Sequence, residues 1–406
     1  MRVSKFKRLH DIATARRAPG VRRRIVASVI ASGVVLLAAA GCSDDGGGAD
    51  ERISLATWNA GLAPNFVSLA AERSSAAIAA AVAIDADVIC LQEVWIDADV
   101  ATATASAKLA GYTTVYVDAM KEDVANLAIA CTEGDTVDLA PCAQKHCVPS
   151  DNLVGCVQTK CGPELAALSP TCLGCLASNL HLDFNGILDA CAKGGGSYTF
   201  SGHHGLMLLA RVPVTKTERL VLDSTLIQRA VLHARVAAGA GRPAMDVYCT
   251  HLAAGLSSIP YTGEHGSWEG EQAVQIDELG TWITATTTAG NAVALLGDLN
   301  CGPAVSKDIV AEMPANWKKV LDLGFVDPWP ASPGAACTFC GDNTLVASGA
   351  DTGGEGAIID HIALRGFDGG AVVVRINDSK VSVDTASGKK ETHLSDHFGL
   401  RAQLVR

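Results

Sequence analysis

Apolar and polar positions along this chain follow two rhythms, one suited to strands and one to helices, and the strands tend to end on polar residues. The sharpest case is Val293 to Leu296, four apolar residues that run into Gly297-Asp298-Leu299-Asn300. Such a run, bounded by glycine, predicts a strand buried on both faces. Side chains alternate along a strand, so Asp298 and Asn300 should point one way while Leu299 turns into the core. Residues 52–59 and 87–93 read as strands ending on Asn59 and Glu93. Residues 112–117 read as a third strand, and 229–238 with 244–251 as a hairpin ending on His251. Asp360 sits inside a further apolar run, 356–364, and Asp396-His397 opens the last strand. Helical spacing marks residues 66–84, 98–110 and 271–287, with short helices within 307–323. Strand and helix in alternation predict an α/β domain of two packed mixed sheets covered by helices, spanning 52–406.

That rhythm breaks between 120 and 197, where eight cysteines (Cys131, Cys142, Cys147, Cys156, Cys161, Cys172, Cys175 and Cys191) sit among Gly, Pro and Asn. Cys142 to Cys147 and Cys156 to Cys161 are two copies of one spacing, and Cys172-x-x-Cys175 has the spacing of a zinc knuckle. Fourteen cysteines in a chain with an export signal favour disulfides over zinc. The segment therefore reads as an insertion stapled by its own cross-links, with covering or recognition duties. Cys90 and Cys249, on buried strands, read as inert core thiols. Cys301 is a candidate to pair with Cys337 or Cys340 near the strand ends.

The export signal lies in residues 1–41, where nine Lys/Arg and one Asp precede a 16-residue apolar run, 25–40. A spanning helix needs about 20 apolar residues, so this run predicts cleavage in preference to a membrane span. Its end, Leu36-Leu-Ala-Ala-Ala-Gly-Cys42, resembles the lipobox of bacterial lipoproteins. The resemblance implies cleavage before Cys42, lipid on its thiol, and an exported protein held at the cell envelope or released in a secreted form. Residues 42–51 would be the polar tether. Losing nine basic residues and one acid takes the formal charge from −11 to −19. An acidic body repels nucleic acid at long range, so a broad basic DNA-binding face is excluded. Phosphodiester hydrolysis is not, because a bound cation supplies positive charge locally.

One polar residue at a strand end is an ordinary turn, and a lone His there is a satisfied core group. Six such endings in one chain call for a common explanation, since loops at strand ends are where a rigid scaffold presents catalytic groups. The chain has no Gly-x-Ser-x-Gly elbow, so acyl transfer lacks its nucleophile. Asn59, Glu93 and Asp396 are oxygen ligands of the kind that Mg²⁺, or Mn²⁺, takes. His251, His397 and Asn300 are donors suited to charge on phosphoryl oxygens, and Asp298 is placed to orient or deprotonate water. Together they describe metal-assisted hydrolysis of a phosphoester. His203, His204 and His265 read as solvated loop histidines in preference to cleft residues.

Thr57-Trp-Asn59, Leu91-Gln-Glu-Val-Trp95, Thr250-His-Leu252, Gly297-Asp-Leu-Asn300, Ile359-Asp-His-Ile362 and Ser395-Asp-His397 occur in this order. The set resembles the endonuclease/exonuclease/phosphatase superfamily, which includes deoxyribonuclease I-like nucleases, inositol-phosphate phosphatases and neutral sphingomyelinases. The resemblance implies a four-layer α/β sandwich with its site where the edges of two sheets meet. It implies Glu93 as holder of the divalent cation, helped by Asn59 and Asp396, and Asp298 aligning the attacking water. Asn300, His251 and His397 would contact the scissile phosphate, Asn59 would assist in binding substrate, and Asp360 would keep His397 protonated. Leu91 to Trp95 and the segment carrying Gln272, Gln275 and Glu278 are similar to neutral sphingomyelinases, favouring a phospholipid or small phosphodiester over DNA. The alternatives are a secreted nuclease and, in another class, a lipid-anchored binding protein with an inactive site.

Overall fold

The computed structural model describes residues 52–117, 130–150, 152–194, 198–239, 244–256, 259–346 and 355–405. The expected signal segment, lipidated Cys42 and tether lie outside the described residues. Among the described residues no helix is long and apolar enough to cross a membrane.

The chain begins with the expected alternation: β1 (Arg52–Leu62), α1 (Ala70–Val82), β2 (Val88–Val94), α2 (Asp97–Leu109) and β3 (Thr114–Val117). Six short helices then fill the cysteine-rich segment: α3 (Glu133–Thr136), α4 (Leu139–His146), α5 (Leu153–Lys160), α6 (Gly162–Ala166), α7 (Pro170–Ser178) and α8 (Phe184–Lys193). Strands return as β4 (Met207–Ala210), β5 (Val214–Leu222), β6 (Arg229–Val236) and β7 (Met245–His251). After them come α9 (Trp268–Thr286), β8 (Ala292–Asp298), α10 (Pro314–Asp322) and β9 (Asp360–Arg365). The chain closes with β10 (Gly370–Ile376), β11 (Lys380–Thr385), β12 (Gly388–His393) and β13 (Gly399–Val405).

One sheet has the order β10-β13-β1-β2-β4-β3 and the other β5-β6-β7-β8-β9, while β11 and β12 pair as a separate hairpin. The sheets face each other through Leu55, Val88 and Leu208 on one side and Leu232, Val247, Leu296 and Ile362 on the other. The outer face of the first sheet packs Trp58, Ile89 and Leu91 against Ala77, Ile78 and Ala81 of α1. The outer face of the second packs Tyr248, Val293 and Leu295 against Ile276, Leu279 and Ile283 of α9. Helix, sheet, sheet and helix make the four-layer α/β sandwich. Every residue of β8 is buried, as an unbroken apolar run in a central strand requires.

All eight insertion cysteines are in disulfides: Cys131–Cys172, Cys142–Cys161, Cys147–Cys156 and Cys175–Cys191. The two repeated spacings are wired to each other in a nested pair, and Cys172 and Cys175 go to different partners, which rules out a zinc knuckle. Elsewhere three expectations fail. Cys90 and Cys249 are not separate thiols but a disulfide, because β2 and β7 lie back to back across the inter-sheet core with Cα atoms 5.3 Å apart. Cys337 pairs with Cys340, leaving Cys301 buried and free. His204 is also buried (1% exposed) instead of solvated. His203 and His265 stand beside Asp97 (3.2 Å) and Asp223 (2.9 Å).

Cys90–Cys249 closes a loop of 159 residues. Replacing both cysteines with alanine is expected to lower unfolding stability by about 3–5 kcal/mol, read from denaturant melts. Stability within about 1 kcal/mol of the parent would show that the link restrains little.

Candidate active site

Three registers set the site. Asn59 on β1 lies beside Gln92 on the parallel strand β2, placing Glu93 next along. In the second sheet His251 pairs with Asp298, and Asp298 with Asp360, across β7, β8 and β9. The loop before β13 then brings Asp396 and His397 against the end of β1. Its anchor is Ser395, whose hydroxyl donates to the Asn59 carbonyl (2.7 Å) and accepts the His397 N–H (3.0 Å).

Asn59, fully buried, joins the two sheets: its Nδ2 donates to Glu93 Oε1 (3.1 Å) and to Asp298 Oδ2 (2.9 Å). Its Oδ1 accepts the Gly61 N–H at 2.9 Å. Gly61 has φ 56°, and a Cβ there would lie 2.3 Å from Asp396 Oδ1, so only glycine admits that carboxylate. Glu93 itself has φ 58°, a left-handed backbone that a non-glycine residue adopts at a cost. Its Oε2 is buried with no hydrogen-bond partner. Burial, with the Asp396 charge adding to it, pushes the Glu93 carboxyl up, against the pull of His397 and Asn59.

Asp298 lies among donors. His251 Nε2 is 3.3 Å from Asp298 Oδ2, and the Asn300 N–H donates to Oδ1 at 3.0 Å. Asn300 has φ 50° and its Nδ2 donates to the Leu252 carbonyl (3.0 Å), while Leu299 turns into the core under α9. Burial raises the Asp298 carboxyl to about 7, with Asp360 adding and His397 and Asn59 opposing. His397 Nδ1 is 2.9 Å from Asp360 Oδ2 and 3.8 Å from Asp298 Oδ2. Burial alone would lower His397, but Asp360 and Asp298 lift it well above the usual histidine value, so it carries a proton. His251 is the opposite case: burial, Arg229 and His397 hold it neutral, and its Nδ1 has no partner.

All the residues predicted for the site therefore meet at one edge, and Glu93, His251, Asp298, Asn300, Asp396 and His397 line a cleft of about 570 Å³. Asn59 and Asp360 support it from behind. Sequence reasoning missed Arg229. It is the first residue of β6, is 4% exposed, lines the same cleft, and leaves Nη1 without a partner. It also missed Arg73, buried beneath the site, which donates to the carbonyls of Ser68, Gly61 and Leu394 and so ties α1 to the Ser395 loop. A charged residue heading an apolar strand was the available signal for Arg229; for Arg73, inside an alanine-rich helix, there was none.

Two groups are able to hold a metal ion. Asp298, Asp360 and His397 bring ligand atoms within 4.8 Å of one another. Glu93 and Asp396 are neighbouring carboxylates, one with an orphaned oxygen. His397 already spends Nδ1 on Asp360 and is protonated, which makes it a poor ligand. Both groups hold a repelling carboxylate pair and an unsatisfied oxygen (Glu93 Oε2, Asp360 Oδ1), which a hard cation relieves, so the proton on His397 makes Glu93 with Asp396 the better fit.

Residues 56–397 match the family model described as Endonuclease/Exonuclease/phosphatase family. The chain belongs to this family. Members of the Endonuclease/Exonuclease/phosphatase family are hydrolases of phosphoric esters, and the chain is an enzyme of that class. No curated protein sequence matches it. Among solved structures it is similar to sphingomyelinase C from Streptomyces griseocarneus, at 14% identity and a TM-score of 0.53, covering 87% of this chain and 99% of that one. A mutant beta toxin from Staphylococcus aureus with bound magnesium ions gives 12% identity and a TM-score of 0.54, with coverages of 87% and 99%. At these identities the likeness establishes the fold.

Proposed function

We propose that this chain is a Mg²⁺-dependent phosphodiesterase of the sphingomyelinase kind, cleaving a phosphodiester by in-line attack of water. The observation that carries the reading is the meeting of Glu93, Asp396, Asp298, His251, Asn300 and His397 in one cleft, with one Glu93 oxygen buried and unsatisfied. Glu93 and Asp396 would hold the cation, with Asn59 fixing Glu93 and Asp298 relative to each other. When bound, the cation polarises a phosphoryl oxygen and neutralises its charge. Asp298, with a carboxyl near neutrality, aligns water and takes its proton. His397, kept charged by Asp360, donates to a non-bridging oxygen, and Asn300 and neutral His251 complete the donor set.

Arg229 fits the same scheme. Its buried guanidinium faces the Glu93 and Asp298 charges and has one nitrogen left for a phosphate oxygen. Arg229→Ala is expected to lower kcat/KM about 10²-fold, and Arg229→Lys to restore part of it. An alanine variant at the parental kcat/KM would remove Arg229 from the site.

A lipid or small diester is favoured over DNA by the chain's formal charge of −11 and by the apolar flank of the cleft, formed by Phe66, Val67, Ile227 and Leu256. The deciding experiment is a hydrolysis panel of sphingomyelin, plasmid DNA and a generic phosphodiester, each with and without a chelator. Chelator-sensitive release of phosphocholine is the expected result. Plasmid nicking alone would establish the nuclease, and no turnover of any substrate at millimolar Mg²⁺ would overturn the enzyme reading.

A further inference from the structure

The helical insertion encloses a half-open cavity of about 90 Å³. Every residue lining it is apolar except Gln158; the wall includes Leu139, Leu153, Leu173, Leu176, Phe184 and Ile187. A close-packed cluster of short helices would ordinarily collapse onto such a void, because unfilled volume forfeits dispersion contacts. Here four disulfides hold α3 to α8 in place, so the space is built into the frame. An apolar void of this kind stays dry and takes an apolar guest.

The cavity is adjacent to the catalytic cleft and joined to it at two points. Asn65 Nδ2 donates to the carbonyls of Leu180 (2.6 Å) and Leu182 (2.8 Å), and its own carbonyl accepts the Val154 N–H at 3.2 Å. Leu180 and Val154 line the cavity, whereas Phe66, the residue after Asn65, lines the cleft. On the other side the Ile259 N–H donates to the Leu256 carbonyl at 3.0 Å, with Ile259 in the cavity wall and Leu256 in the cleft wall. Phe66, Ile227 and Leu256 thus belong both to the cleft and to the apolar cluster of the insertion. The apolar wall of the cleft is thereby continuous with the packed core of the insertion.

We infer that this cavity is a subsite for one alkyl chain of the phosphodiester cleaved next to it, which rests on the phosphodiesterase reading of that cleft. By proportion to a 150 Å³ cavity that holds benzene, the space admits about four carbons. It takes a segment of chain, with the remainder lying along Phe66 and Leu256.

The test uses alkyl p-nitrophenyl phosphodiesters from methyl to dodecyl, each below its critical micelle concentration, with the Mg²⁺-loaded protein and two filled variants, Ala177→Leu and Val157→Phe. Both positions line the cavity and neither touches the cleft. For the parent, kcat/KM is expected to rise roughly threefold per methylene across a window of about four and then level off. In a variant whose Tm is at or above the parental value, that rise should flatten while turnover of the methyl diester is unchanged. A rise that survives in both filled variants, or a parent indifferent to chain length, overturns the subsite while methyl-diester turnover leaves the phosphodiesterase standing. Failure to cleave even the methyl diester overturns both.

Discussion

Glu93→Ala abolishes phosphodiester hydrolysis, with kcat/KM falling by roughly 10³-fold or more. The effect is large because Glu93 brings a carboxylate to the site with one buried oxygen, Oε2, that no protein group satisfies. Its neighbours are already committed: Asn59 Nδ2 bridges Glu93 to Asp298, and Asp396 is seated against the glycine at 61. Isothermal titration of Mg²⁺ separates this loss from misfolding, since the variant should keep its Tm and lose cation affinity. Because Glu93 and Asp396 repel each other, removing one carboxylate without the cation should leave stability equal or slightly higher. A Glu93→Ala protein turning over at the parental rate would remove the cation from the scheme.

Asp298→Asn carries the second large effect, a fall of roughly 10³–10⁴-fold in kcat with the fold retained. Asparagine keeps the shape and one accepting oxygen, enough for either Asn59 Nδ2 or the Asn300 N–H but not both, and takes no proton. The parent should show an acid limb in its pH–rate profile. Burial, with Asp360 adding, raises the Asp298 carboxyl to about 7, so its ionised form is depleted as pH falls below that value. A bound cation draws the limb to lower pH. On the alkaline side His397 holds its proton well above the ordinary histidine range, so rate should be sustained through neutrality and lost at higher pH. In Asp298→Asn the acid limb disappears and only the alkaline one remains. A full-strength profile with an unchanged acid limb in that variant would assign the base elsewhere.

How much of this was legible from residues alone depended on burial. The strands that end in chemistry were readable because β1, β2, β7 and β8 are central and buried, so their apolar runs stop abruptly at Asn59, Glu93, His251 and Asp298. Strands β5, β10, β11 and β12 lie at edges or in the separate hairpin and carry many exposed positions, so apart from Ala371 to Val374 in β10 they have no such run. The six insertion helices escaped for a related reason: each has four to ten residues, too few for helical periodicity to stand out. Their caps were nonetheless in place, since Asn152, Ser169 and Asp183 each accept a backbone N–H from the first turn. Arg229 reads along the chain as an ordinary strand start; only the opposite sheet reveals the carboxylates it faces. The Cys90–Cys249 link was hidden because it depends on which strands of two different sheets lie opposite each other.

That link sits three residues before Glu93 on one strand and two before His251 on the other. It fixes the spacing between the strand that carries Glu93 and the strand that carries His251, the two sides of the cleft. That one sulfur–sulfur bond therefore tightens the catalytic edge as well as the fold. Chains made where glutathione keeps thiols reduced would carry every catalytic residue and still lack the rivet that holds them in range.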